Sequence, residues 1–596
     1  MSITRKQFLA GAAAGMMGAF AAGTAAAAPV KAEDIQWDAE YDVVVVGFGA
    51  AGASTAINSA EMGANVLLME KAPQGYEGGN SAVCYQWVAQ VFPDDVERAK
   101  TYMKAMREGF QTPTDEMIDV YIEELTHNQE WLIAHGAPNC VPRENYTGEF
   151  PDMEGAGSIS IVTVDGQDRA QHSSLYRMLR KLVASTEGLE TWFGCHATHL
   201  IQDAEGVVRG VECECQGQTI RVRAKNGVAL TCGGYENNPR MLEDFNEAVG
   251  VGPLGASFWN EGDGINMAME AGARLWHVHN YVGPNMGYRF KNSGVYTFGL
   301  YSFYGLSVAP DGTRYTSIGA SGHGKFLYYG NRVNFFCPRW TFFIFDDDSV
   351  HAGAPHKSFD ADCQWEIDHG YYSIADTLED LAAQIEVPVE KFLETVEAFN
   401  ASEPRMPIVK APFYALRCDY PCGNTQGGPE RNEKGQVIAV DGTPIPHLYE
   451  AGELGDIHSH CYNASCNVGG GLAFGRIIAR QVCQTPDDTD PASQLTGEGW
   501  HPAPREEVVY ECGENQFIGK GQGKGGLPMV VRVTRDGDKI SEIEILEHYE
   551  TLGLVDKCLE QMPQRIIEAQ STDVDVITGA TMTSIGIISA VADALK

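Results

Sequence analysis

The stretch from Tyr41 to Lys71 leaves few folds open to this chain. Val43 to Val46 is a short β-branched run, the signature of a parallel strand buried on both faces. Gly47-Phe48-Gly49-Ala50-Ala51-Gly52 follows at once and fits G-x-G-x-x-G. The next residues suit a helix, and Val66-Leu67-Leu68-Met69 reads as a second strand ending on Glu70. An acid about 20 residues beyond the glycines is where a ribose hydroxyl would be held. Gly47 permits the tight turn, Gly49 lets a pyrophosphate approach the backbone, and Gly52 lets helix and strand pack closely. The anionic pyrophosphate then lies at the positive helix N-terminus. These features in register predict a dinucleotide site that includes Gly47, Gly49, Ala51, Gly52 and Glu70. An ordinary βαβ unit, with glycines serving only its packing, is the alternative.

The chain has 596 residues, enough for several domains at about 100–200 residues each. Its 80 acidic and 43 basic residues leave a net charge of −37. That balance excludes nucleic acid as a partner, because phosphates need a basic footprint. It also argues against adhesion to anionic membranes. Residues 1–32 read as an export signal. A basic start at Arg5-Lys6 precedes an Ala/Gly-rich, mildly apolar core and small residues up to Ala28. Arg5-Lys6-x-Phe8-Leu9 resembles a twin-arginine signal with Lys in place of the second Arg. The expectation is export to the periplasm or cell envelope, with a helical N-terminal segment as the alternative. The 15 cysteines include no C-x-x-C, so neither zinc nor ferredoxin spacing is met. Buried free thiols are expected, and an iron–sulfur site of unusual spacing stays open.

Helices are expected over residues 95–136 and from Ser173 to Ala184, a hairpin over 206–224, and a buried strand from Val228 to the Gly233-Gly234 turn. Residues 270–350 are dense in aromatics and read as an inserted lobe. Glycine-rich character returns at Asn424-Thr425-Gln426-Gly427-Gly428, and a helix is expected from about Gly469 to Gln481. Pro486 to Pro504 reads as a linker before a compact C-terminal α/β unit.

With Glu70-Lys71, Gly78-Gly79-Asn80-Ser81, Thr231-Cys232-Gly233-Gly234-Tyr235, Gly262-Asp263-Gly264 and Tyr449-Glu450-Ala451-Gly452-Glu453, the chain resembles the flavoprotein family of fumarate reductase and succinate dehydrogenase. Soluble fumarate and urocanate reductases and 3-ketosteroid dehydrogenases are the members it resembles most, over residues 38–485. The resemblance implies an α/β fold: a Rossmann-type FAD-binding domain with an inserted α+β capping domain. FAD, held noncovalently, would then contact Lys71, Gly79, Asn80, Ser81, Gly233, Gly234, Asp263, Glu453 and Gly470 as well. The tail resembles the FMN-binding domain that receives covalent flavin, another small α+β unit. Asp575-Val576-Ile577-Thr578-Gly579-Ala580-Thr581 fits its D-x-x-[ST]-G-A-T motif, which implies FMN linked to Thr581 by a flavin transferase. The implied domains are 33–262 and 411–485 for FAD, 263–410 for the cap, 486–506 for a linker and 507–596 for FMN.

In this family a hydride and a proton are added across an activated C=C bond. The fumarate-type proton donor is an Arg eight residues beyond the Arg of G-x-R-F. From Gly312-Thr313-Arg314-Tyr315 that count reaches Gly322, leaving His323 and Arg332 as the nearest donor candidates. The Arg that clamps a substrate carboxylate is replaced by Asn467, and the longer loop before it carries His458, His460 and Tyr462. Asn cannot form the bidentate charged pair that Arg makes with a carboxylate. The reading is therefore a reductase of an enone or acrylate-like small molecule. Tyr462 would be catalytic, and Asn467, His458 and His460 would bind substrate. Electrons would come from a quinol- or cytochrome-linked donor, membrane or soluble. A ketosteroid-type dehydrogenase and a non-catalytic flavin carrier are the alternatives.

Overall fold

The computed structural model describes residues 36–143, 146–166, 173–246, 257–282, 287–289, 296–298, 305–315, 326–329, 332–335, 340–352, 363–419, 422–484, 499–504, 508–550, 555–577 and 579–596. The strand Ala39–Val46 forms the centre of the main sheet, with Val66–Glu70 and Gln218–Leu230 parallel to it on either side. Leu189–Phe193 extends the parallel set beyond Val66–Glu70, and Pro444–Glu450 extends it beyond Gln218–Leu230. Val43 and Val45 pack into one hydrophobic core, and Val44 and Val46 into the other. Both faces of the sheet are thus covered, as a run of four valines requires.

Two expected segments, the second arm of the 206–224 hairpin and the strand from Val228, are one continuous strand, Gln218–Leu230. Its first half pairs antiparallel with Val208–Cys215, and its second half pairs parallel with Ala39–Val46. Beyond that hairpin lies Cys195–Gln202, and its Cys195 is opposite Cys215 in register. These two cysteines form a disulfide, which corrects the expectation of free thiols throughout. Of the other described cysteines most are free and buried. Among the described residues, no group of His, Cys, Asp or Glu could hold a metal ion. No described helix is long and apolar enough to cross a membrane.

The helices Val96–Met106, Asp115–Leu125 and Asn128–Ala134 cover one face of the sheet together with Ser174–Ser185. The Cys466–Val482 helix lies against Ala50–Glu61 in the same layer, its glycines meeting Ala51 and Ser54. The inserted lobe has its own antiparallel sheet, in which Trp340–Asp346 and Phe413–Asp419 are neighbours. Phe413–Asp419 therefore belongs to the cap, and the return to the first domain falls after it, not at residue 411. The Asp263–Glu270 helix buries Ile265, Met267 and Ala268 in the core of the first domain, so that domain extends past residue 262. The C-terminal unit is an antiparallel meander of Gln516–Gln522, Pro528–Asp536 and Lys539–His548 with helices Asp556–Ala569 and Thr581–Ala594.

Part of the linker is fixed. Trp500 N–H donates to the Asp38 carbonyl at 2.7 Å, and its ring meets Trp192 edge-on at 5.0 Å. His501 bonds Glu190 at 2.8 Å, and Ala503 and Gln216 exchange two hydrogen bonds.

Candidate active site

The first βα turn is built to receive a phosphate. Gly47 has φ +102°, and a Cβ there would lie 2.5 Å from the Thr231 carbonyl oxygen. A Cβ on Gly52 would lie 1.9 Å from the Gly47 carbonyl oxygen, so both positions exclude any side chain. Around Gly49 the nearest atoms are Ser81 Oγ at 3.5 Å and the Gly78 oxygen at 4.0 Å. Gly49 starts the Ala50–Glu61 helix without a side-chain cap, which leaves N–H groups for an anion. Ser81 Oγ accepts from the Ala50 N–H at 2.9 Å. Glu70 accepts from the Phe48 N–H at 2.8 Å and the Ala72 N–H at 2.7 Å. Burial raises its pKa, and each oxygen keeps a second lone pair for a ribose hydroxyl. Lys71 instead bonds Glu261 at 2.5 Å and Asp263 at 2.7 Å, and Asp263 also meets His196 at 3.3 Å. This cluster joins the Val66–Glu70 strand to the Asp263–Glu270 helix at the edge of the site. Burial works against the charge on Lys71, but Asp263 and Glu261 outweigh it and raise the pKa.

A chain of amides and carboxylates runs on toward the substrate loops. Gly78 and Gly79 turn the backbone into the Gly79–Val83 helix. The Asn80 amide donates to Glu236 at 2.7 Å and to Glu453 at 2.9 Å. Asn260, packed under Gly233, donates to the same Glu236 oxygen at 2.6 Å. Gly234 leaves room for Thr425, and Gly470 faces Tyr121. Burial pushes Glu236 up to about 7. Glu453 is part-exposed at its surface but ringed by protein, and it is raised well above the usual carboxylate range, by burial first and Glu236 second. The Glu236 Oε2 and Gln426 Oε1 atoms are buried with no hydrogen-bond partner among the described residues. Such acceptors fit the hydroxyls and ring N–H of FAD, and the open turn at Gly49 fits its pyrophosphate.

The substrate loop is more connected than its sequence suggests. His458 Nδ1 bonds the Asp456 carboxylate, and the ring lies edge-on to Tyr462 at 5.2 Å. Burial alone would lower the His458 pKa, but Asp456 outweighs it and holds the imidazole up at about 10. Its Nε2 finds no hydrogen-bond acceptor among the described residues. The Tyr462 hydroxyl accepts from the Asn467 N–H at 3.3 Å, and burial raises its pKa well above the usual phenol range. The Asn467 amide accepts from Gln426 at 3.1 Å and donates to Glu453 at 3.3 Å, which leaves one N–H and one lone pair. His460 stacks on Phe110 at 5.5 Å, and Phe110 also stacks on His279 at 5.3 Å. His458, Tyr462 and Asn467 thus come together, with His460 at an aromatic rim. His323 lies outside the described residues; Arg332 begins the strand Arg332–Phe335, and its side chain lies outside them too. Asp456, Gln426, Glu236 and Asn260 were missed by sequence reasoning. Only the D-x-H spacing of Asp456 and His458 was a signal.

A second cavity, about 410 Å³, lies in the C-terminal unit between Gly521, Gln522, Gly523 and Gly526 on one side and Met582, Ile585 and Ser589 on the other. Thr581 is exposed and opens the helix that forms this second wall. A Cβ on Gly521 would meet Ser589 Oγ at 2.5 Å, and one on Gly523 would meet Glu550 at 1.8 Å. Glu550 ties the walls together, accepting from the Lys524 N–H at 2.9 Å and the Thr583 hydroxyl at 2.6 Å. The glycine strand, the open cavity and the helix start suit a flavin mononucleotide.

A nucleotide fold with an inserted cap, an amide–carboxylate chain beside a phosphate turn and a second flavin-sized cavity define a two-flavin oxidoreductase. The FAD binding domain family matches residues 42–469 and the FMN-binding domain family matches 523–596. The chain belongs to the FAD binding domain family, among the flavin oxidoreductases that act on C=C bonds. It is 25% identical over 517 residues to the digoxin reductase of Eggerthella lenta, covering 75% of this chain and 88% of that one. It is 26% identical over 532 residues to the acrylate reductase flavoprotein subunit of Shewanella woodyi, covering 80% and 98%. The vinyl phenol reductase of Lactiplantibacillus plantarum is 24% identical over 515 residues, covering 74% and 96%. In fold it is similar to 3-ketosteroid Δ1-dehydrogenase from Sterolibacterium denitrificans, with a TM-score of 0.63 at 21% identity over 75% and 99% of the two chains.

Proposed function

We propose that this protein is an exported reductase of a neutral, activated C=C bond, conjugated to a carbonyl or a phenol-like ring. FAD, when bound, supplies the hydride, and FMN linked to Thr581 supplies the entry point for electrons from a quinol- or cytochrome-linked donor. A flavin transferase attaches the FMN. The reading rests chiefly on one observation: the cation beside the substrate loop, His458, is already neutralised by Asp456. The other cation at this loop, Arg431, bonds the Gly455 carbonyl and is paired with Glu450 at 2.8 Å, and the described side chains nearby include the carboxylates Glu236 and Glu453 and the neutral amides Asn80, Asn467 and Gln426. Among the described residues no unpaired cation faces this site, and an unpaired substrate carboxylate is costly in a desolvated pocket. The names of the digoxin and vinyl phenol reductases agree with a bulky or aromatic substrate.

The side chains have distinct tasks. The Tyr462 hydroxyl, which accepts from the Asn467 N–H, donates a hydrogen bond to a substrate oxygen. That bond strengthens as negative charge develops there. His458, kept protonated by Asp456, holds an Nε2 proton for delivery to carbon. Glu453 and Gln426 hold the Asn467 side chain, so the first turn of its helix stays fixed during reaction. Phe110, His279 and His460 offer a flat apolar rim for an aryl group.

The test is steady-state reduction with a viologen donor across fumarate, enones, aryl acrylates and vinyl phenols. Turnover of a neutral substrate, with kcat for Tyr462→Phe reduced more than KM is changed, is the expected result. Brisk fumarate turnover at low KM would overturn the substrate class. Mass spectrometry of protein made with its flavin transferase is expected to find FMN on the peptide containing Thr581, and FAD is expected to leave on denaturation.

A further inference from the structure

The cavity beside Thr581 has one wall that does not belong to the C-terminal unit. Arg177, from the Ser174–Ser185 helix of the FAD-binding domain, lines it together with Gly521, Gly523, Gly526, Met582, Ile585 and Ser589. Thr581, Ile585 and Ser589 recur every four residues and so share one helix face. That face runs about 12 Å from the attachment hydroxyl, at the usual rise per helical residue. A ring system tethered at Thr581 would lie along it, toward Arg177.

The docking that brings Arg177 there is extensive. The Tyr76 hydroxyl from the FAD-binding domain and the Tyr510 hydroxyl both donate to Glu547. The Tyr76 ring packs on Tyr549 at a tilt of 55°, with ring centres 3.9 Å apart. Gly75 lies against Pro528, its Cβ position 3.7 Å from that ring. Arg180, one turn beyond Arg177, forms an ion pair with Glu77 at 2.6 Å and approaches the Cβ position of Gly526 at 4.0 Å. The Lys524–Gly526 turn packs on the Gly79–Val83 helix, which belongs to the FAD site. Arg177 itself is exposed and makes no hydrogen bond or ion pair among the described residues.

We propose that the FMN site is completed across the domain boundary: Arg177 lies against the flavin carried by Thr581 and favours its reduced, negatively charged form. The inference rests on the reading that Thr581 carries FMN. Two electrons and one proton convert the neutral oxidised ring to a reduced ring of net negative charge. A guanidinium beside it stabilises that product over the starting state. The electrons come from the donor side, so Arg177 would help to collect them in the C-terminal unit before they pass to FAD.

The test uses the holoenzyme made with its flavin transferase, titrated with a viologen-mediated reductant while FMN is followed by its fluorescence. Arg177→Gln is expected to keep both flavins but lower the ratio of reduced to oxidised FMN at a fixed potential about tenfold, equivalent to about 30 mV for a two-electron couple. Arg177→Lys is expected to restore most of the ratio, and added salt to narrow the gap, because an exposed charge is screened. If mass spectrometry finds FMN on Thr581 and the Gln variant titrates as the parent does, the role of Arg177 is overturned and the attachment stands. If Thr581 is bare in the parent protein, both are overturned.

Discussion

His458 carries its charge because Asp456 is beside it, and that dependence is measurable. The imidazole is held at about 10, far above its ordinary value near 6.5. Activity that needs its proton is therefore expected to be flat through neutrality and to fall only as pH rises through about 10. Asp456→Asn removes the stabilising charge and leaves burial, so the alkaline limb of the kcat profile is expected to move down by several pH units. The stability this pair contributes is fully present below the unfolded value and is lost as pH rises through the folded one. Among the described residues, Glu236 has no compensating cation. Burial lifts its folded pKa from 4.5 to about 7. Stability is thus full below the ordinary carboxylate value and is lost as pH rises through about 7. In flavin-depleted protein, Glu236→Gln is expected to raise Tm at pH 8 but scarcely at pH 5, with a difference of about 1–3 kcal/mol. An equal effect at both pH values would mean that the carboxylate is not the source.

The helices Ala50–Glu61 and Cys466–Val482 pack closely through glycines. A Cβ on Gly475 would lie 2.6 Å from the Ser54 Cβ, and one on Gly471 would lie 3.2 Å from the Ala51 Cβ. Gly475→Val is expected to cost about 1–3 kcal/mol through overpacking, read as a lower Tm and weaker FAD retention. Wild-type Tm and FAD content in that variant would contradict the packing. These elements were legible in the sequence because glycine spacing and apolar runs report local geometry. Val43 to Glu70 contains its strand, turn, helix and second strand in order. What could not be read depends on contacts between distant segments. Gln218–Leu230 switches partners midway, and residue patterns do not encode that switch. The same limit applies to the site. Gly47 and Gly52 could be placed by motif, whereas Glu236, Gln426 and Asp456 act only through partners from other loops. Asn467 could be singled out from its place in the sequence, but its bonds to Gln426 and Glu453 required the folded chain.

At the scale of the whole molecule, the two flavin-binding units are joined at more than their covalent connection. The docking surface around Tyr76, Glu547 and Tyr549 holds one side. Residues Trp500 to Ala503 hold the connecting segment to the end of the main sheet where the strands Ala39–Val46, Leu189–Phe193 and Gln218–Leu230 begin. Trp500→Ala removes the ring packed against Trp192, and limited proteolysis between the units is expected to accelerate severalfold, with both units still folded. An unchanged cleavage rate would show that the segment is held by other contacts. The fastened segment also bears on how electron flow responds to its solvent. A domain that swings on a loose tether must push through the surrounding liquid at each turnover, and its rate falls as the liquid thickens. A unit already seated beside its partner has no such journey. In the proposed relay, passage of electrons from one flavin to the other is therefore expected to keep its rate constant in concentrated sucrose or glycerol.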